Sequence, residues 1–334
     1  MSVLILGRKS SGKSTFLHIL SRGKANIKHD INIFAVPKED ERLIKLSNVF
    51  QSKTITPIHT DFIDFPGEAT FSKKDANLRT YIQKSDLIIY IIPAFLEEYN
   101  PLEEIKKEES ELIIHDLELC ERQLKGKTSF SEKNFLERIY NHLSEEKLIN
   151  SMTLKPEEEK LLISWNFLSL KPIFYAINVS PEYFEDNKNL NSIIDYLQKE
   201  EKNYIIFSGI LEEEVISIEK DEALEYLSLY GIKNLLSERV YDLIFKHFDL
   251  ITFFTGNEKE VRAWKLKNGS TAIDAAGTIH SDLARGFIRA EVIPWDKLVE
   301  EGSWKNAHQK GLISVEKKDY VVKDGDVLLI RFHL

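Results

Sequence analysis

Five runs along the chain are apolar at nearly every position: residues 3–6, 62–65, 86–93, 172–178 and 204–208. An unbroken apolar run of that length predicts a strand buried on both faces. The first run passes through a glycine-rich turn into residues 14–20, where Phe16, Leu17, Ile19 and Leu20 give a helix one core-facing side. The second ends at Pro66-Gly67, a strand-ending turn. Buried strands separated by helical segments predict an α/β fold built on a mainly parallel sheet.

The texture changes twice. Between residues 99 and 150 charged residues dominate, and apolar ones recur at helical spacing: Leu112, Leu117, Leu119 and Leu124, then Phe135, Leu136, Ile139 and Leu143. Lys125-Gly126-Lys127 interrupts the pattern. It predicts an antiparallel helical hairpin projecting from the sheet domain, either as a plain hairpin with solvated charged faces or as an arm that docks on a partner. After Leu250, strand-like runs at residues 260–265, 286–293 and 327–332 alternate with glycine and aspartate turns, which describes a small mixed α+β, β-grasp-like domain. The expected organisation is a sheet domain over 1–98 and 166–249, a helical insert over 99–165, and a C-terminal domain over 250–334.

Composition narrows the class. Of 334 residues, 43% are hydrophobic and 30% charged, as packed domains require. No apolar run approaches the roughly 20 residues of a bilayer-spanning helix, and the first residues lack the features of a signal peptide. Cys120 is the only cysteine, so no intrachain disulfide can form, and a reducing, cytoplasmic setting is expected. The formal charge of −9 argues against a nucleic-acid footprint over the whole surface. From Leu250 to Leu334, however, Lys and Arg number 13 against 12 acidic residues, and elsewhere 32 against 42. Any contact with RNA or a ribosome is therefore expected through the C-terminal third, where Lys265, Lys267, Arg285 and Arg289 are the basic candidates.

The chemistry begins at Gly7-Arg8-Lys9-Ser10-Ser11-Gly12-Lys13-Ser14, which fits G-x-x-x-x-G-K-[ST] between a strand and a helix. Glycines let backbone N–H groups turn inward around phosphate oxygens, and the helix N-terminus just beyond adds partial positive charge. Ser10, Ser11 and Gly12 are expected to line the phosphates. Lys13 would reach the β- and γ-phosphates, Ser14 would place its hydroxyl on Mg²⁺, and Thr15 would lie near the α-phosphate. Downstream, Asp64-Phe65-Pro66-Gly67 reads D-x-x-G at a strand end. There Asp64 would hold Mg²⁺ through water and the Gly67 N–H would sense the γ-phosphate, making the next segment of chain a switch and disfavouring a kinase. Asn178 and Ser208-Gly209, each after a buried strand, are candidates for closing a purine pocket.

The order of these elements resembles the YchF/Obg-like ATPase family of translation-factor-class P-loop NTPases. The likeness is strongest in Phe253-Phe254-Thr255-Gly256, Glu260-Val261-Arg262-Ala263-Trp264, Ala275-Ala276-Gly277-Thr278-Ile279-His280-Ser281-Asp282, Gly286-Phe287-Ile288-Arg289-Ala290-Glu291 and Lys318 to Val327. Leu170-Lys171-Pro172 and Glu212-Glu213-Glu214 belong to it too. The resemblance implies a G domain, a coiled-coil insert and a C-terminal TGS-type domain, with nucleotide hydrolysis, ATP commonly preferred to GTP, and ribosome association. This chain departs from the family's pattern in both switches. Residues 25–36 are short and lack threonine, and Glu68 comes directly after D-x-x-G without the family's glycine-rich stretch. The base motif reads Asn178-Val179-Ser180-Pro181-Glu182, with proline where the family has glutamate, so the residues leave ATP and GTP both open.

Three functions are compatible with these residues. The first is a slow Mg²⁺-dependent ATPase or GTPase acting as a molecular switch. The second is a nucleotide-binding module that has lost hydrolysis. The third is an adaptor that docks on ribosome or RNA through its arm and C-terminal domain.

Overall fold

The computed structural model describes residues 1–25, 30–73, 75–96, 99–126, 128–184 and 190–333. Part of the 25–36 stretch, Lys127 and the final Leu334 therefore lie outside the described residues. The chain runs β1 (Ser2–Gly7), α1 (Lys13–Leu20), β2 (Asn32–Pro37), α2 (Glu41–Phe50), β3 (Thr54–Thr56), β4 (His59–Asp64), α3 (Ala76–Lys84) and β5 (Leu87–Pro93). It continues through α4 (Pro101–Leu124), α5 (Phe130–Ser144), α6 (Pro156–Trp165), β6 (Ile173–Asn178), α7 (Asn191–Lys199), β7 (Asn203–Phe207), α8 (Gly209–Glu214), α9 (Lys220–Ser228) and α10 (Leu236–His247). The last third holds β8 (Leu250–Gly256), β9 (Glu260–Lys267), α11 (Ala272–Ile279), α12 (Ser281–Arg285), β10 (Phe287–Pro294), α13 (Trp295–Glu301), α14 (Trp304–Gln309), β11 (Ser314–Glu316) and β12 (Asp326–Phe332).

Two compact units result, one of Met1–Val36 with Thr60–Ser237 and one of Pro37–His59 with Glu238–Leu334. The first is built on a six-stranded sheet of order β2-β4-β1-β5-β6-β7. Pairings β1–β4, β1–β5, β5–β6 and β6–β7 are all parallel. All seven residues of β5 and all six of β6 are buried, which is why their sequence shows no alternation. Each large aliphatic side chain so buried contributes about 1.5–3 kcal/mol relative to exposure. The carboxyl ends of β1, β4, β6 and β7 therefore carry the four candidate motifs on one edge, where open α/β sheets bind ligands.

α4 and α5 form the expected hairpin. Asn100 caps α4 by accepting from the Glu103 N–H, Pro101 occupies its first turn, and Ser129 with Glu132 makes a capping box on α5. Leu112, Phe135, Leu136, Ile139 and Leu143 are buried in the main core. The faces are not simply solvated, however. Glu108, Glu109 and Asp116 of α4 are buried, at 3%, 8% and 0% exposure. Cys120 is buried as well, its Sγ donating to the Leu136 carbonyl at 3.2 Å, and burial pushes the thiol up to about 11.

The second unit is a mixed sheet of order β11-β10-β12-β8-β9-β3. The β8–β9 hairpin is antiparallel and β12 runs parallel to β8, the β-grasp arrangement expected from the sequence. Its extent differs from the 250–334 expectation. Residues 37–59 supply α2, whose Leu43 and Leu46 are buried with Phe254, Val261 and Ile293, and β3, which pairs parallel to β9. From the sequence alone, residues 37–59 fall in the sheet domain with no helix named there; the pairing of β3 with β9 that puts them here is long-range and leaves no local signal.

Candidate functional site

The loop from Gly7 to Ser14 leaves the carboxyl end of β1 and turns into α1 at Gly12, whose φ of 98° lies in the left-handed region that favours glycine. A Cβ on Gly12 would meet Asn178 Nδ2 at 2.4 Å, so the loop is drawn tightly against β6. Among the described residues no side chain caps the start of α1. Its first N–H groups and the helix dipole thus face the loop's own concavity, an arrangement suited to an anion.

Lys13 is buried at 6% exposure, and its ammonium donates to three carbonyls: Gly7 at 3.1 Å, Arg8 at 2.9 Å and Gly67 at 2.8 Å. Burial lowers its pKa, against the opposing pull of Asp64 and Glu68. Ser14 donates to Asp64 Oδ2 at 2.9 Å. Asp64 is 2% exposed, and burial raises its pKa despite that hydrogen bond and the charge of Lys13. Among the described residues its second oxygen, Oδ1, is buried without a hydrogen-bond partner, as are Ser11 Oγ and Ser208 Oγ. Unmatched buried oxygens are costly unless a ligand or ion completes them.

A hydroxyl beside a carboxylate with a spare oxygen is a hard-oxygen donor pair of the kind Mg²⁺ takes alongside phosphate oxygens and water. Among the described residues no group of three or more His, Cys, Asp or Glu is placed to hold a metal by itself. The residues fit a cation that arrives with a phosphate ligand rather than one caged by protein.

Asn178 ends β6. Its Nδ2 donates to the Ser11 carbonyl at 3.2 Å, and its Oδ1 accepts from the Gly209 N–H at 3.0 Å. The partners' chemistry fixes the orientation of the amide. A Cβ on Gly209 would lie 3.3 Å from Thr15 Cγ2, so only glycine lets the turn after β7 approach α1 this closely without adjustment. Ser208, buried, caps the same turn through its N–H to Glu212 at 3.3 Å. Lys13, Ser14, Asp64, Gly67, Asn178, Ser208 and Gly209 are thereby brought to one sheet edge; Ser10, at φ 62°, is exposed.

Residues after D-x-x-G run back over the loop. Ala69 and Gly7 exchange two backbone hydrogen bonds of 2.7 and 3.1 Å, while Glu68 is exposed and accepts through its carbonyl from Lys73 at 2.8 Å. Sequence reasoning missed Glu108, which accepts from the Phe71 N–H at 2.6 Å and from Ser72 Oγ at 3.2 Å. Its signal was present as an acidic residue on the same helical stripe as Ile105, Leu112 and Ile113. The basic candidates of the second unit are less distinctive: Arg285 is paired with Asp282, Arg289 lies 3.8 Å from Glu291, and Lys265 is half-buried beside exposed Lys267.

A parallel sheet whose first strand opens into a glycine loop and helix, with an aspartate facing the loop's serine, defines a P-loop NTPase fold. Comparison with known proteins makes the class specific. The chain is 31% identical over 99% of its length, and 98% of the relative's, to the "Ribosome-binding ATPase YchF" of Pasteurella multocida. It is 30% identical, with the same coverage, to the protein of that name from Bacillus subtilis. The solved "Structure of the Schizosaccharomyces pombe YchF GTPase" superposes with a TM-score of 0.83 at 23% identity, covering 99% of this chain and 97% of that one. Residues 250–333 match the family YchF-GTPase_C, described as a protein of unknown function. The chain belongs to the YchF family.

Proposed function

We propose that this protein is a slow, Mg²⁺-dependent hydrolase of a purine nucleoside triphosphate that works in association with the ribosome, with ATP as its first substrate. The observation that carries the hydrolase reading is the Ser14–Asp64 pair at 2.9 Å with Asp64 Oδ1 buried and unmatched, beside a buried Lys13. Ribosome association and the choice of ATP rest on the names of the bacterial relatives.

In this reading the loop's N–H groups and Lys13 orient the triphosphate and offset its negative charge. Ser14 and Asp64 would hold Mg²⁺, which when bound neutralises charge on the phosphate oxygens. Gly67 would set the position of the segment facing the γ-phosphate, and Asn178 holds the loop and the Ser208-Gly209 turn in register, so the base meets a pre-formed edge. Ser10, Ser11 and Thr15 complete the phosphate lining. Glu68, exposed, is the one acidic side chain of the D-x-x-G turn beyond Asp64, and the lack of a buried general base there makes turnover slow.

The test is a titration of the purified protein against ATP and GTP with Mg²⁺, with phosphate release measured in parallel, alone and with ribosomes. Micromolar binding, slow release alone and faster release with ribosomes are expected. Binding with no release under either condition identifies a nucleotide-binding adaptor instead.

A further inference from the structure

We propose that Glu108 is a positioning residue that holds residues 67–72 over the phosphate loop, and that this strap competes with the nucleotide for Lys13. The proposal rests on the nucleotide reading above and adds a regulator to it.

An ammonium has three N–H donors, and Lys13 spends all three on carbonyls. Two of those carbonyls, Gly7 and Arg8, belong to the loop itself. The third belongs to Gly67, in the D-x-x-G turn. A phosphate oxygen that takes a strong bond from Lys13 must displace one of the three. Gly67 is the partner that can leave without unwinding the loop.

Whether Gly67 leaves easily depends on what holds its segment. The strap is fastened on the inside by the paired bonds between Ala69 and Gly7. On the outside it is fastened by Glu108, which takes the Phe71 N–H and the Ser72 hydroxyl, while Ser72 also lies 2.9 Å from Thr70 Oγ1. The Phe71 ring stacks on Tyr90 with centroids 5.7 Å apart.

Glu108 is itself on a fixed base. One position on, Glu109 is bonded to Tyr175, Tyr196 and Lys202. Two turns further, Asp116 accepts from the N–H groups of Leu168 and Ser169 at 3.0 and 2.8 Å. Arg8 of the phosphate loop lies over the Tyr99 ring at 5.3 Å, just ahead of α4. α4 has 24 residues, about 36 Å at 1.5 Å per residue, and carries this anchor out to the tip of the hairpin. A contact that shifts α4 at the arm is therefore positioned to loosen the strap, and by linkage a nucleotide that displaces the strap alters α4.

The test uses the full chain carrying Glu108→Gln, with Mg²⁺ and ATP as the probe. A glutamine keeps one acceptor but presents an NH₂ where the other N–H or hydroxyl was received. Loss of one charge-assisted bond favouring the strapped arrangement should tighten ATP binding by up to about tenfold. Backbone amide exchange over 67–72 should also quicken. Ser72→Ala, a milder change, should act in the same direction by about two- to threefold. A residue that only stabilises the fold would lower stability and leave affinity unchanged or weaker. Unchanged or weaker ATP binding in both variants, or unchanged exchange over 67–72, overturns the proposal. If instead ATP binding survives Lys13→Ala in the wild-type background, it is the nucleotide reading that fails.

Discussion

The mouth of the phosphate loop and the root of the helical arm are both lined by buried polar groups, and they are completed in opposite ways. At the root, every carboxylate is matched: Glu108 by a backbone N–H and a hydroxyl, Glu109 by two phenols and an ammonium, Asp116 by two backbone N–H groups. At the mouth, Asp64 Oδ1, Ser11 Oγ and Ser208 Oγ are buried without partners, and Lys13 is held by carbonyls rather than by an anion. Burial alone therefore does not mark a ligand site in this molecule; what sets the mouth apart is three unmatched oxygens gathered at the sheet edge that carries Lys13, whereas elsewhere among the described residues only Thr60 Oγ1 and Tyr99 Oη are buried and unmatched. The root trades its charges for rigidity, whereas the mouth bears a desolvation cost that a metal and a triphosphate are suited to relieve.

That contrast can be broken by mutation. The largest expected effect is at the root. Asp116→Ala leaves the Leu168 and Ser169 N–H groups without an acceptor and should cost about 3 kcal/mol in a urea titration, while ATP affinity should rise by no more than about two- to threefold through the loosened base of Glu108. Next is Lys13→Ala, which should weaken ATP binding by about a hundredfold, equivalent to about 2.7 kcal/mol. Its fluorescence titration should be paired with a urea midpoint that falls much less than that of Asp116→Ala, because the loss of three bonds to carbonyls is offset by relief of the buried ammonium's desolvation. A large loss of stability with normal affinity would reverse the roles of the two regions.

The smallest effect is also the most diagnostic. Burial raises the Asp64 pKa above the ordinary aspartate value of 3.8, so this carboxylate opposes folding once ionised. The sign is opposite to that of a salt-bridged aspartate. Its penalty is absent below the unfolded pKa and develops as pH rises from 3.8 through the folded pKa. Asp64→Asn should therefore match the wild type in stability at low pH and exceed it at pH 7, in thermal melts without nucleotide or Mg²⁺. An asparagine that destabilises the protein at pH 7 would place Asp64 with the structural carboxylates of the root.

The sheet and the loop were legible because their signals are local. Glycine spacing, an unbroken apolar strand before it and an apolar helix face after it lie within twenty residues of one another, and all five expected strands of the first unit are present as β1, β4, β5, β6 and β7. Asn178 was legible as a residue of the site, but not as the amide that ties Ser11 to Gly209, since that depends on three strand ends meeting. β2 and β3 lack an apolar run because both are edge strands with mixed exposure, and β3 has only three residues. Glu108, Glu109 and Asp116 were hidden for a different reason. In a stretch so rich in charge, a sequence does not distinguish the few acidic side chains facing inward from the many facing water, and only the helical stripe they share with Ile105, Leu112, Ile113 and Cys120 separates them.

Strand β3 sets a timetable for the ribosome that makes this chain. Thr56 reaches its partner Glu260 across 204 positions, and at about 5–20 residues per second that is a wait of roughly 10–40 s. Throughout that interval the apolar side of α2, with Leu43 and Leu46, has been synthesised but the β-strands that bury it have not. The newborn chain must carry a sticky, unfinished segment through the folding of its entire nucleotide-binding half, and chaperone dependence should concentrate on residues 37–59.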